Sequence, residues 1–203
     1  MPTPELWLLR HGATAWARDG RHTSHTDLPL LPEGEAEAQA LAPELTAVRF
    51  RAVLVSPMQR ARRTCELAGL GSQARSCDDL REWDYGAYEG ITTAEIRRSV
   101  PGWSIWSHPC PQGESVASIE ARCNRVITQV LDLAAGDGRV ALVAHAHILR
   151  SLAGCWLGLG AAGGALLVLG TSGISVLGQE REQRALLRWN APPAGRTSAA
   201  VAG

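Results

Sequence analysis

Leu6-Trp7-Leu8-Leu9-Arg10-His11-Gly12-Ala13-Thr14 decides the reading of this chain. A short, continuous apolar run bounded by polar residues is the mark of a buried strand. An arginine, a histidine and a glycine follow where that strand ends. In open α/β sheets, ligands bind just outside the carboxyl ends of the strands. Arginine is a fixed, planar cation that matches phosphate. Histidine serves as nucleophile or base near neutral pH. Glycine permits a sharp turn and the close approach of a ligand. The three together are what phosphoryl chemistry on a histidine requires.

Two further strand-like runs point the same way. Arg51-Ala52-Val53-Leu54-Val55 leads into Ser56-Pro57-Met58-Gln59-Arg60. Ser56 suits a helix cap and Pro57 the first helical position, which puts Arg60 in the first turn. The run 139–144 ends at His145. His11, Arg60 and His145 thus leave three strand ends toward one edge. Arg62 and Arg63 compete with Arg60, but the spacing after Ser56-Pro57 selects Arg60.

The wider pattern is α/β. Strands are predicted at 5–10, 51–56, 74–77, 139–144, 165–169 and 173–178, with an edge strand at 184–190. Helices are predicted at 32–46, kinked or cut short by Pro43, and at 57–69, 92–99, 114–135 and 147–157. The polar loop 11–31 is expected to line the mouth of the site, and 78–113 to form a small cap over it. The expected fold is a three-layer α/β/α sandwich with a mostly parallel sheet, one domain over 1–190 and a disordered tail over 191–203.

Composition narrows the partners. The 203 residues carry 20 basic and 20 acidic side chains, so no general polyanion binding, nucleic acid included, is expected. Every basic residue is arginine, which excludes Schiff-base chemistry and a Walker-type phosphate loop. Five cysteines, widely spaced and without a Cys-x-x-Cys pair, read as reduced thiols of a cytoplasmic protein. No signal peptide and no membrane-spanning run is visible.

The blocks LLRHGATAW (8–16), SPMQRARRT (56–64), LREWDYGAYEG (80–90), GES (113–115) and VAHAHILR (143–150) resemble, in order, the histidine phosphatase superfamily, which includes cofactor-dependent phosphoglycerate mutases. HTDLPLLPEGE (25–35) and WSIWSHPCPQGES (103–115) strengthen the likeness to small sugar phosphatases of the sedoheptulose bisphosphatase type. The resemblance implies a phosphatase for small phosphorylated metabolites, sugar phosphates among them, that needs no metal or other cofactor. It makes His11 the nucleophile, Arg10, Arg60 and His145 the phosphate-binding and charge-stabilising groups, and Glu82 the general acid. It assigns Thr23, Ser24, Tyr85, Ala146 and Arg150 to substrate contact. Ala146 stands where most relatives carry glycine, and its methyl would narrow the phosphate's approach.

Read from the residues alone, several points stay open. Asp84 shares a face with Glu82 in an extended segment, although Trp83 and Tyr85 would desolvate Glu82. Glu89, before Gly90, reads as a loop brace. His145 and His147 form a His-x-His pair that also suits a metal, without a recognisable frame of further ligands. His147 itself fits a supporting role, a substrate contact or a helix start. Trp103 and Trp106 suit either a roof over the site or packing within the cap. A mutase, an α-ribazole phosphatase or a non-catalytic binding module remain as alternatives. Asparagine, usual in the mutases, is replaced by Ala17. The oligomeric state is not legible.

Overall fold

A computed structural model describes residues 3–193. Its elements run β1 (Glu5–Arg10), α1 (Ala15–Arg18), α2 (Pro32–Gln39), α3 (Ala42–Leu45), β2 (Phe50–Val55), α4 (Gln59–Leu67), β3 (Ala74–Ser76), α5 (Thr93–Ser99), α6 (Val116–Ala134), β4 (Arg139–Ala144), α7 (Ala146–Trp156), β5 (Ile174–Glu180) and β6 (Gln183–Ala191). The six strands form one sheet in the order β3-β2-β4-β1-β5-β6. The first three pairings in that order are parallel and the last two antiparallel. The fold is a three-layer α/β/α sandwich, mostly parallel, as expected.

Strand alternation divides the core. Leu6 and Leu8 of β1 and Val140, Leu142 and Ala144 of β4 face α6 and α7. Leu9, Ala141 and Val143 face the opposite layer, where Leu41, Leu45, Ala61 and Cys65 pack. β1, β2 and β4 are thereby buried on both faces, and their carboxyl ends lie side by side. His11 donates its backbone N–H to Ala144, and Ser56 donates to Val143. The three strand ends are therefore stitched together where the candidate residues emerge.

Several local expectations differ. No strand forms over 165–169. Ala161–Leu166 is a 3-10 helix followed by an open segment, with Leu166 78 % exposed. Two carbonyls that a strand would pair are taken by side chains, Val168 by Trp189 and Leu169 by Arg10, and Arg150 takes that of Gly164 just before. The predicted helix 32–46 is two short helices, and Pro43 starts the second because a first-turn proline gives up no helical hydrogen bond. The predicted cap on the next helix moves: α4 begins after Met58, leaving Ser56 outside it. The loop 11–31 contains α1, capped by the Thr14 side chain. Ala191 still belongs to β6, and the rest of the predicted tail from 194 lies outside the described residues.

Segment 78–113 holds two 3-10 turns and α5, whose Thr92–Glu95 capping box closes its first turn. It is tied back to the loop after β1. His22 donates its backbone N–H to Ile91, Gly90 donates to His22, and Arg21 bridges Thr92.

Candidate active site

Gly12 is needed for packing. A β-carbon there would lie 2.2 Å from the Gly34 carbonyl oxygen, and one on Gly34 would meet Ala13 equally closely. The loop after β1 and the start of α2 therefore touch backbone to backbone. This contact gives the glycine a packing reason beside the expected one. It fixes the neighbouring His11, whose Nδ1 lies 2.8 Å from the Gly12 carbonyl. A carbonyl only accepts, so Nδ1 carries the ring proton and the Nε2 lone pair is free. Burial holds the His11 pKa well below the usual histidine range, reinforced by Arg60 and Arg10.

Arg60 is fully buried, on the first turn of α4. Its guanidinium donates to the carbonyls of Thr26 (3.1 Å), Thr23 (3.3 Å) and Ser24 (3.2 Å), and its Nε donates to His145 Nδ1 at 3.1 Å. Glu89 accepts the backbone N–H groups of Ser24 and Thr26 from the other side. Thr23 and Ser24 thus contribute carbonyls that aim a cation. Glu89 braces the loop. Arg62 and Arg63 are exposed, and Arg63 pairs with Glu35 and Glu66.

His145 caps α7 and lies with its ring centre 5.1 Å from that of His11. Because Arg60 donates to Nδ1, the proton sits on Nε2, 2.7 Å from Ser56 Oγ. Burial, then Arg60 and His11, keeps the ring neutral by lowering its pKa well below 6.5. Arg10 donates to the Leu169 carbonyl, while its buried Nε has no partner among the described residues. An unpaired buried guanidinium N–H is the donor an anion satisfies.

Glu82 is buried and Asp84 is not. Glu82 Oε1 accepts N–H groups from Trp83 (2.9 Å) and Ile148 (2.9 Å), and Oε2 accepts from His147 (3.0 Å). The first turn of α7 thus seats the carboxyl group between β4's end and the cap. Asp84 accepts from Gly86 and pairs with His25 at the surface. Tyr85 OH lies 2.6 Å from His147 Nδ1. Arg150 donates to Gly164 and stacks 4.7 Å over Trp106. Ala146 opens α7. Trp103 is buried in the cap beside His22 and Tyr88.

The structure therefore brings Arg10, His11, Arg60 and His145 together, with Glu82, Tyr85, His147 and Arg150 along the α7 side. Sequence reasoning missed two residues. Ser56 holds His145. Thr64 accepts from Gly12 N–H and donates to the Arg60 carbonyl, coupling the two loops. The Thr64 signal was there, one helical turn after Arg60. The His-x-His pair does not converge: His145 turns to Arg60 and Ser56, His147 to Tyr85. Among the described residues no group of three or more His, Cys, Asp or Glu side chains is arranged to hold a metal ion. No described helix is long and apolar enough to cross a membrane.

His11, His22 and His145 are buried and His147 is partly so, and all four have lowered pKa values, that of His22 to about 4 through desolvation. The unfolded chain binds protons at these groups near 6.5, before the folded chain does, so stability falls as pH drops through that value. His22 alone should cost about 2 kcal/mol near pH 5. Urea midpoints should drop steadily between neutrality and pH 5. A flat profile would contradict the neutral assignment.

Comparison with known proteins agrees with this geometry. The model of the histidine phosphatase superfamily (branch 1) matches residues 6–192. The chain is 38 % identical over 184 residues to an acid phosphatase of Mycobacterium tuberculosis, covering 89 % of each. It is 36 % identical over 191 residues to sedoheptulose 1,7-bisphosphatase of Saccharomyces cerevisiae, covering 78 % of this chain and 69 % of the relative. The solved structure of an open reading frame from Mycobacterium tuberculosis superposes with a TM-score of 0.89 at 36 % identity, over 93 % of this chain and 98 % of that one. A pocket of two histidines and two arginines at the ends of parallel strands, met by a family match over nearly the whole chain, places this protein in the histidine phosphatase superfamily.

Proposed function

We propose that this protein hydrolyses phosphomonoesters of small sugars through a phosphohistidine on His11. The observation that carries the reading is the free Nε2 of His11, held by the Gly12 carbonyl beside Arg10, Arg60 and His145. A neutral imidazole with its lone pair aimed into a cationic pocket is an activated nucleophile. Nε2 attacks phosphorus and the ester P–O bond breaks. Glu82, protonated on Oε2, the oxygen with one N–H contact instead of two, passes its proton to the leaving alkoxide. The resulting carboxylate takes a proton from water, the water oxygen attacks phosphorus, the P–N bond breaks, and inorganic phosphate leaves.

Arg10 and Arg60 supply charge to the transition state. Four of the five Arg60 donors hold carbonyls and His145, which leaves one N–H of its Nη1 for a phosphoryl oxygen. For His145 to serve a phosphoryl oxygen, its Nε2–H must leave Ser56. Sugar phosphates are favoured as substrates because the relatives at over 30 % identity include a sugar bisphosphatase, and because Arg150 adds a further cation near the acid, beyond Arg10 and Arg60. The free cysteines suit a reducing compartment, and we place the enzyme in the cytoplasm.

The test is a panel of sugar phosphates, phosphoglycerates and nucleotides assayed in excess EDTA. Release of phosphate from sugar phosphates, undiminished by the chelator, is the expected result. Loss of turnover on chelation with recovery on adding zinc or manganese would overturn the metal-free mechanism.

A further inference from the structure

The contact between Tyr85 and His147 has no part in the mechanism above, yet it is short and partly buried. Tyr85 OH lies 2.6 Å from His147 Nδ1. No other hydrogen bond to either side-chain group exists among the described residues. Two arrangements of protons fit. If Nδ1 carried the proton, the Tyr85 hydroxyl proton would have no acceptor. If Tyr85 donates to Nδ1, the ring proton sits on Nε2 and that N–H is the group in need of a partner.

Burial decides between them. Tyr85 is 2 % exposed, whereas 18 % of the His147 side chain remains accessible. A proton without a protein partner is tolerated where something else reaches it, and not in the core. Desolvation holds both groups neutral, pushing Tyr85 up and His147 down. The second arrangement is therefore the consistent one.

The neighbours of the ring say where it lies. Its Nδ1 is 4.0 Å from Glu82 Oε2, and its own backbone N–H donates to the same oxygen. Trp106 lies 5.3 Å away on the cap side and carries Arg150 on its face. The ring thus lies between the proposed general acid and the cap, where the carbon skeleton of the leaving group must run. We infer that Tyr85 locks His147 as the Nε2–H tautomer, and that this N–H selects leaving groups carrying an oxygen acceptor, sugars and other polyols, over plain alkyl groups. Tyr85 is then a positioning residue and His147 a specificity residue. The inference rests on the phosphatase reading and deepens it.

Two measurements on the full chain test it. Long-range ¹⁵N–¹H spectra of histidine-labelled protein report which ring nitrogen holds the proton. Nε2–H at His147 in the wild type, giving way to a mixture in Tyr85→Phe, is expected. Nδ1–H in the wild type would overturn the inference. The second measurement is the ratio of kcat/KM for ribose 5-phosphate to that for pentyl phosphate, matched in carbon number. His147→Leu should lower this ratio about tenfold, the effect of one lost hydrogen bond to a buried donor. His147→Gln, whose amide N–H can take the place of Nε2–H, should recover most of it, and Tyr85→Phe should fall between.

A ratio unchanged in His147→Leu overturns the selectivity role, even if absolute rates drop through misfolding or a shifted Glu82. Failure of the phosphatase reading looks different: the wild type would then turn over neither ester, and the tautomer spectrum would decide the ring assignment alone.

Discussion

Turnover should fall on the order of 10⁶-fold in His11→Ala, the loss typical of removing a nucleophile from an intact binding site. The wild type, quenched in the first turnovers with labelled substrate, should carry a phosphoryl adduct that acid releases and base preserves. That adduct should vanish in His11→Ala and persist at a lower level in His145→Ala. The rival that matters is Ser56, whose hydroxyl touches His145 Nε2 in the outline of a nucleophile–base pair. Arg60 argues against it. By donating to Nδ1 it forces the proton of neutral His145 onto Nε2, so the nitrogen facing Ser56 is a donor and has no lone pair to offer as a base. An adduct stable to acid, the mark of phosphoserine, would transfer the role to Ser56 and end the phosphohistidine mechanism.

Glu82→Gln should slow phosphoenzyme formation from an alkyl or sugar phosphate by about 10²–10⁴-fold, the usual worth of general acid catalysis. The effect on p-nitrophenyl phosphate should be far smaller, because nitrophenolate leaves without a proton. Burst kinetics are required, since the same residue activates water in the second step and masks the contrast at steady state. Glutamine also retains an oxygen for the N–H groups of Trp83 and Ile148, so the first turn of α7 keeps its anchor. If Asp84→Asn showed the leaving-group dependence and Glu82→Gln did not, the assignment would be reversed. The geometry favours Glu82, because Asp84 is occupied by Gly86 and His25 at the surface.

The layers, the parallel strands and the residues at their ends were legible because each is a local signal. A short apolar run marks a buried strand, and the residue after it marks the edge. What stayed hidden depends on contacts distant in sequence. Residues 165–169 read as a strand by composition, and nothing local says that Arg10 and Trp189 take carbonyls of that stretch and Arg150 the one just before it. Ser56 looks like a cap in any short window, and its bond to His145 spans 89 positions. Gly12 has a second reason to be glycine, its backbone contact with Gly34, that no short window shows. The likeness in sequence singled out Glu82, and the fold supplies a physical reason: the start of α7 offers N–H groups to that carboxyl alone.

The loop from Thr23 to Thr26 is held from both sides, its carbonyls on Arg60 and its N–H groups on Glu89. This has a consequence for how such an enzyme can diversify. A change there that reshapes substrate contact also moves the cation beside the phosphorus, so preference and rate cannot drift independently. The α7 side is different. Trp106 of the cap and the His147 and Arg150 that meet it do not anchor Arg60, and they can be exchanged while the phosphate cradle stays intact. New substrate preferences should therefore be easier to evolve, and to engineer, on the cap side than in the loop.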